Sequence, residues 1–525
     1  MAVNTYWDAQ RVSPDAYGAL PIGRIRSGRL VCLAERVDHL VLPEHRTEQL
    51  RQVTALLRAH DVPYFVIPTS PRQPSRIGID QRFKRAACSA LADYVQGRPV
   101  YRIGYGGVEF RDVISTRLCE TELPADVPDV VTLVAFAQFR NTNFASRHED
   151  GVDLEFWQND GTALVAPRWN PYAGAVPSQL QELVDGGELV DGHQTFRVFL
   201  TPRVDTVTFP VDAVYTWVNG SDVEWQQRKA DALGITDQRA FAEEAAGASR
   251  FADHDELRYS LRSIEQYAPW IRRIWIVTDR QIPDWLGDDE RVRIVDHQAI
   301  APPGAALPTF NSQAIEANLH RIEGLAEHFL YLNDDMMFGR PVRPDEFFHG
   351  NGISKFFYSR AQVDFGEPQP GEIASTIAGK NNRKVIERQF GRTMTQKFFH
   401  TPYPLKKSVI EEMENKFPEE FALTRAHQFR GLHDVTVAGS LYYNYAYGTA
   451  RAVPARIRYL YVDPRDSKAD RNLSHYLRNR DFDCVCVNDA LVGDSTMTDE
   501  EVDAAIRAFL ARFIPVPAPW EADAT

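Results

Sequence analysis

From residue 211 onward the sequence predicts an α/β fold with a doubly wound, mostly parallel sheet, preceded by a separate α/β module. Three observations carry this. Short β-branched and aromatic runs alternate with helical patterns in the second half, and several of those runs stop abruptly in Asn, Asp or Gly. A stretch with prolines near both ends, Thr201–Pro210, separates the halves. At 525 residues the chain exceeds one ordinary compact domain. The expected division is 1–205, 206–495, and a C-terminal helix with tail over 496–525.

In the first module the spacing predicts a strand at Leu30–Ala34, a helix near Thr47–His60, a strand at Tyr64–Ile67 and a helix near Gln81–Gln96. Val131–Phe139 reads as a further strand. Leu154–Gln158 and Ala163–Val165 read as a hairpin turning on Asn159-Asp160-Gly161. No catalytic constellation stands out there. In the second half, strands are expected at Ala213–Val218, Arg273–Thr278, Val292–Val295 and Phe329–Leu332, with helices at Leu257–Tyr267 and Ser312–Leu325. Near the end, Thr498 and Glu501 have capping-box spacing ahead of Val502, Ile506, Phe509, Leu510 and Phe513. That helix docks on the core or pairs with a second copy in a homodimer; a membrane-surface role is the alternative.

Composition narrows the function. With 44% hydrophobic and 25% charged residues the chain is an ordinary globular protein. A formal charge of −13 argues against a nucleic-acid binder, which needs clustered cations. The five cysteines, Cys32, Cys88, Cys119, Cys484 and Cys486, lack zinc-type spacing and read as reduced thiols of a cytoplasmic protein. Met1–Gln10 has no apolar signal core, and no run approaches a membrane span, so membrane contact is at most peripheral, at the inner face.

Ligands bind at the carboxyl ends of strands in doubly wound sheets, so the residues after each strand are the first site candidates. The first strand carries Asp212 at its start and runs into Trp217 and Asn219-Gly220, a turn that tolerates positive φ beside a face on which a base can stack. Next, Asp253 and Glu256 form a capping box, while His254, Arg258 and Arg262 flank the stripe of Leu257, Leu261 and Ile264. A helix N-terminus with cations beside it suits an anion, although structural ion pairing is the plainer alternative. The strongest signal is Phe329–Leu332 ending in Asn333-Asp334-Asp335, hard oxygen ligands at a strand's carboxyl end. Between His400 and Asp434 lie a candidate base and Arg430, a candidate two-pronged phosphate ligand. Finally, Cys484–Val487 delivers Asn488 and Asp489 in the same way.

In this order the runs DAVYTWVNGSD, HDELRYSLRSIEQYAPWIRRIWIVTDRQIPDWL, LPTFNSQAIEANLHRIEGLAEHFLYLNDDMMFG, FFHTPYPLKKS through FRGLHD, and VCVNDA resemble the conserved regions of the Stealth family. That family includes bacterial capsule polymerases and the catalytic subunit of the lysosomal-enzyme N-acetylglucosamine-1-phosphotransferase. The resemblance covers about 211–490 and leaves 1–205 unmatched.

The resemblance implies a nucleotide-sugar (GT-A-like) transferase core, a UDP-sugar donor and a carbohydrate acceptor. An acceptor hydroxyl attacks the β-phosphorus of a UDP-N-acetylhexosamine, UMP leaves, and a sugar–phosphate–sugar diester forms in capsule or other cell-surface polysaccharide synthesis. It places Mg²⁺ or Mn²⁺ at Asp334 and Asp335, with Asn488 and Asp489 as further contacts. His400 becomes the general base and Arg430 the phosphoryl clamp, with Asp434 orienting one of them. Trp217, Asn219, Arg258 and Arg262 are expected to hold the nucleotide and pyrophosphate, with Asp212, His254 and Lys407 as further substrate-binding residues; Asn311, Glu316, His320 and Asn382 are donor- or acceptor-site candidates. Asn333-Asp334-Asp335 stands where most nucleotide-sugar transferases carry Asp-x-Asp, so either carboxylate can be the metal ligand. Two alternatives stay open: a glycosyltransferase releasing UDP, and a non-catalytic carbohydrate-binding or assembly protein.

Overall fold

The computed structural model describes residues 20–27, 30–95, 98–105, 113–117, 128–235, 251–489 and 497–522. The chain divides into two compact units, one running to Arg203 and one taking Val204–Tyr476 and Arg480 onward.

In the first unit, the helix Leu42–Ala59 turns Leu50, Val53 and Leu57 inward on one face. They join Ile77, Ile79, Leu91, Leu133, Leu154 and Phe156 in one core. The hairpin forms between Val152–Asn159 and Ala163–Val165, with Gly161 at φ 89° and the Asp160 carboxylate accepting the Thr162 and Ala163 amides. The run expected as one strand over Val131–Phe139 splits into Val130–Ala135 and Ala137–Phe139, which belong to different sheets. In this unit Arg168 meets both Asp153 and Glu155.

In the second unit Val211–Thr216 is central. Ile274–Thr278 and then Val292–Asp296 add parallel on one side; His328–Asn333 adds parallel on the other, and Tyr403–Lys406 closes that edge antiparallel. Sheet growth therefore reverses between Val211–Thr216 and His328–Asn333, and the crevice off the carboxyl ends at such a reversal is the binding position of open α/β sheets. The near-continuous apolar run of the 328–333 strand reflects burial on both faces. Phe329, Leu330 and Leu332 are fully buried, each contributing about 1.5–3 kcal/mol.

Ser312–Leu325, expected as one helix, is instead Ser312–Glu316 followed by a single turn at Leu319–Arg321. Asn318 causes the break. Its Nδ2 donates to the Ala314 carbonyl at 3.0 Å, the acceptor its own amide would need to extend the helix. The C-terminal helix Asp499–Phe513 has the expected reciprocal cap of Thr498 and Glu501. Its apolar face is buried, with Phe509 and Phe513 against Tyr476, so that face is not left for a second copy or a membrane. Among the described residues no helix is long and apolar enough to cross a membrane. Cys32, Cys88, Cys484 and Cys486 are not joined in disulfides; Cys119 lies outside the described residues.

Candidate functional site

Asn333 ends its strand level with Thr216, at the point where sheet growth reverses. The chain turns through Asp334 and Asp335 and at once enters Met336–Phe338, antiparallel to Cys484–Val487 with Met336 opposite Cys486. That register brings Asn488 to Asp335. Asn488 Nδ2 donates to Asp335 Oδ2 at 2.6 Å, and the Cys486 thiol donates to the same oxygen at 3.2 Å. From the opposite flank, pairing of Tyr403 with Tyr331 carries His400, three residues earlier, to the carboxyl end of the sheet. His400 Nε2 lies 3.3 Å from Asp335 Oδ1, and Nδ1 lies 3.3 Å from the Tyr403 hydroxyl. Its side chain is 31% exposed, so a substrate can reach it.

The electrostatics are those of crowded acid groups. Burial first, then the charges of Asp335 and Asp253, push the Asp334 carboxyl well up. Burial, then Asp334, does the same to Glu256. Asp335 goes the other way: burial would raise it, but His400 and the hydrogen bonds from His400, Asn488 and Cys486 hold it below the usual carboxylate range. His400 is correspondingly raised, Asp335 outweighing the effect of burial. A divalent cation relieves exactly this kind of repulsion, and carboxylate oxygens suit Mg²⁺ or Mn²⁺. Among the described residues Asp335, His400 and Cys486 also present ligand atoms all within 4.8 Å of one another. Burial, then the Asp335 charge, pushes the Cys486 thiol well up, so it stays a neutral donor. The fitting ligand set is therefore carboxylate oxygen, not thiolate. Glu256 and Asp253 were legible only as a capping box. In the fold Asp255 is the N-cap, at φ 74° and without a side-chain cap bond, and Glu256 accepts the His254 amide at 2.7 Å.

Two further candidates adjoin His400. Glu316 is buried and accepts from Thr436 Oγ1 at 2.9 Å; burial raises its carboxyl although Arg430 and His400 both act to lower it. Arg430 Nη2 donates to Ser312 Oγ at 2.7 Å. Asp434 orients neither His400 nor Arg430. Fully buried, it accepts from Asn311 Nδ2 and the Gly431 amide, both at 2.7 Å, and faces His427 Nδ1 at 2.5 Å. A Cβ on Gly431 would sit 2.5 Å from His427 Nδ1, so only glycine lets the loop close on that ring. His427 was missed; its signal was a histidine one turn ahead of a glycine and the aspartate beyond it.

Curated proteins with similar sequences include the exopolysaccharide phosphotransferase SCO2594 of Streptomyces coelicolor, 35% identical over 534 residues, 93% of this chain and 86% of that protein. Models of the Stealth protein conserved regions 1, 2, 3 and 4 match residues 209–237, 250–356, 399–447 and 475–525. The chain belongs to the Stealth family. The exopolysaccharide phosphotransferase CpsY of Mycobacterium leprae is 34% identical, covering 96% of this chain and 91% of its own. SCO6023 of Streptomyces coelicolor is 42% identical over 71% of this chain, which spans 64% of that relative's length. Among solved structures, the galactosyltransferase LgtC in complex with donor and acceptor sugar analogs has a TM-score of 0.30 and 10% identity, over 59% of this chain and 97% of that one.

Stealth region 2 thus supplies Glu256, Asp334 and Asp335 to the site, region 3 His400 and Arg430, and region 4 Asn488. Other expected residues lie elsewhere or are already engaged. Asp212 sits at the amino end of its strand, where Arg272, Trp275 and the Ala326 amide occupy both carboxylate oxygens. Lys407 follows Lys406, which pairs with His328 at the amino end of that strand, away from Asp334. Arg258 and Arg262 are bound to Glu521, and His254 to Asp503. His320 is held by Glu414, and Asn382 ties the helix Ala374–Phe390 to Thr436 and Ser440. Asp489 pairs with Arg465 at 2.9 Å, not with Asp335. Trp217 is buried and donates to Asp253, so its ring offers no open face. Asn219 remains at the carboxyl end, closing on the Ser221 amide. Gly220 there has no positive φ; it is needed because a Cβ would meet the Phe251 carbonyl oxygen at 2.1 Å.

Proposed function

We propose that this Stealth protein transfers a sugar-1-phosphate from a UDP-sugar, an N-acetylhexosamine donor first among candidates, to a carbohydrate hydroxyl, releasing UMP and forming a phosphodiester. The relatives named exopolysaccharide phosphotransferases support the reaction class. The observation that carries it is the meeting of Asp334, Asp335, Glu256 and His400 where sheet growth reverses.

Asp334, Asp335 and Glu256 would hold a divalent cation, which when bound offsets charge on the pyrophosphate and the departing UMP. Asp335 accepts from His400 Nε2–H, leaving Nδ1 as the basic nitrogen. The acceptor hydroxyl takes the place of Tyr403 at Nδ1 and gives up its proton there as its oxygen bonds to the β-phosphorus. Arg430 faces the transferring phosphoryl oxygens, and Asn488 keeps Asp335 in register. The bond from β-phosphorus to the bridging oxygen of UMP breaks as the new phosphorus–oxygen bond forms.

The test is to incubate enzyme, Mg²⁺, a panel of UDP-sugars and carbohydrate acceptors, and separate the nucleotides. Acceptor-dependent UMP is expected. UDP as the sole product shows attack at carbon and removes this reading in favour of a glycosyltransferase.

A further inference from the structure

The strand Gln396–Phe398 leads into His400 within two residues and pairs with Tyr358–Gln362, a strand with little burial. The pairing loses register between Tyr358, opposite Phe398, and Gln362, opposite Gln396, so Arg360 lies on an irregular stretch between the two paired positions. Tyr358 is 37% exposed, and Tyr447, from the helix Tyr442–Gly448, is 52% exposed; both rings pack on Phe356, at 5.0 and 5.9 Å. Arg360 is exposed and has no ion-pair or hydrogen-bond partner among the described residues.

This outer face connects to the site by ring contacts. Tyr358 stacks on Phe398 at 5.2 Å, Phe398 meets Tyr443 at 5.0 Å, Tyr443 meets Tyr403 at 6.1 Å, and Tyr403 meets His400 at 6.3 Å. Burying the inner rings holds the outer pair at a fixed distance from the reacting nitrogen. Two partly exposed rings, with an exposed guanidinium two residues along the chain from one of them, match a polymer that alternates apolar sugar faces with phosphate charges.

We propose that Tyr358, Tyr447 and Arg360 form a distal acceptor subsite for an anionic sugar-phosphate chain, the rings stacking on sugars and Arg360 pairing with a phosphodiester. The inference rests on the proposed transfer reaction and adds that the acceptor is a chain, held several sugars behind its reacting hydroxyl.

The test uses N-acetylglucosamine-1-phosphate oligomers of graded length as acceptors, reading kcat/KM from UMP release. In wild type this value should rise with acceptor length. In the double variant Tyr358→Ala, Tyr447→Ala the long-to-short ratio should fall about tenfold, as expected for two lost ring contacts. Arg360→Gln should lower the same ratio at low salt and much less at high salt. A wild type without length preference, or variants whose ratio matches wild type, overturns the subsite while leaving the transfer reaction standing. A wild type that releases no UMP with any acceptor removes both.

Discussion

Glu521→Ala separates two roles for the arginines of the helix Glu256–Tyr267. The Glu521 side chain is 1% exposed and accepts from Arg262 at 2.6 and 2.7 Å, from Arg258 at 2.6 Å and from the Ala518 amide at 2.8 Å. The Arg262 side chain is 7% exposed, so removing the carboxylate leaves a buried guanidinium charge without its counterion. Breaking such a pair costs about 3–5 kcal/mol. At roughly 2 °C per kcal/mol for a unit of this size, Tm should fall by about 6–10 °C. Arg258 is a quarter exposed and adds little. Thermal unfolding followed by circular dichroism measures the shift. Replacing both partners with apolar residues, Arg262→Met with Glu521→Leu, should recover most of it, because no lone charge is then buried. A Glu521→Ala protein that melts within about 2 °C of wild type, yet needs tenfold more UDP-sugar to half-saturate, would show that these arginines hold the pyrophosphate and that the structural assignment is wrong.

Asp334→Asn should cost at least about 10²-fold in turnover while leaving Tm unchanged or higher, since it removes a charge repelled by Asp335 and Asp253; loss of both activity and stability would contradict a metal role. His400→Ala should lower kcat by about 10² to 10⁴-fold, and a loss under tenfold would take it out of the base role. Glu414 supplies a pH dependence. Burial would raise its carboxyl, but hydrogen bonds from Arg425 and Arg321 hold it at about 2. Because the folded value lies below the unfolded 4.5, its stabilisation is complete above about pH 4.5 and is lost as pH falls toward 2. In that window Glu414→Gln should flatten the dependence of Tm on pH, and parallel curves would rule the contribution out.

Much of the architecture was legible locally. The strand holding Phe329–Leu332 is a long apolar run because both of its faces are covered, and its abrupt end in Asn333-Asp334-Asp335 marks the site without reference to anything distant. What the sequence could not show was pairing across the fold. Nothing near Arg258 or Arg262 announces that Glu521 returns to neutralise them. Asp212 and Lys407 are the right residue types at the wrong end of the sheet, a distinction that depends on strand direction and register. Cys486 and Asn488 meet Asp335 only because 336–338 pairs with 484–487. Glu256 was masked by a local explanation, since its capping-box spacing satisfied expectation while its buried carboxyl also feels the charge of Asp334. The helix expected over Ser312–Leu325 failed for a local reason, the Asn318 side chain competing for the Ala314 carbonyl.

The most direct test follows one atom. A UDP-sugar carrying oxygen-18 between C1 of the sugar and the β-phosphorus is turned over with acceptor, and both products are analysed by mass spectrometry. Phosphoryl transfer keeps that oxygen with the sugar, so the label should appear in the diester product and the released UMP should be unlabelled. Label on released UDP would mean that the C1–oxygen bond had broken, and the account of a carboxylate-and-histidine site built for attack at phosphorus would be wrong.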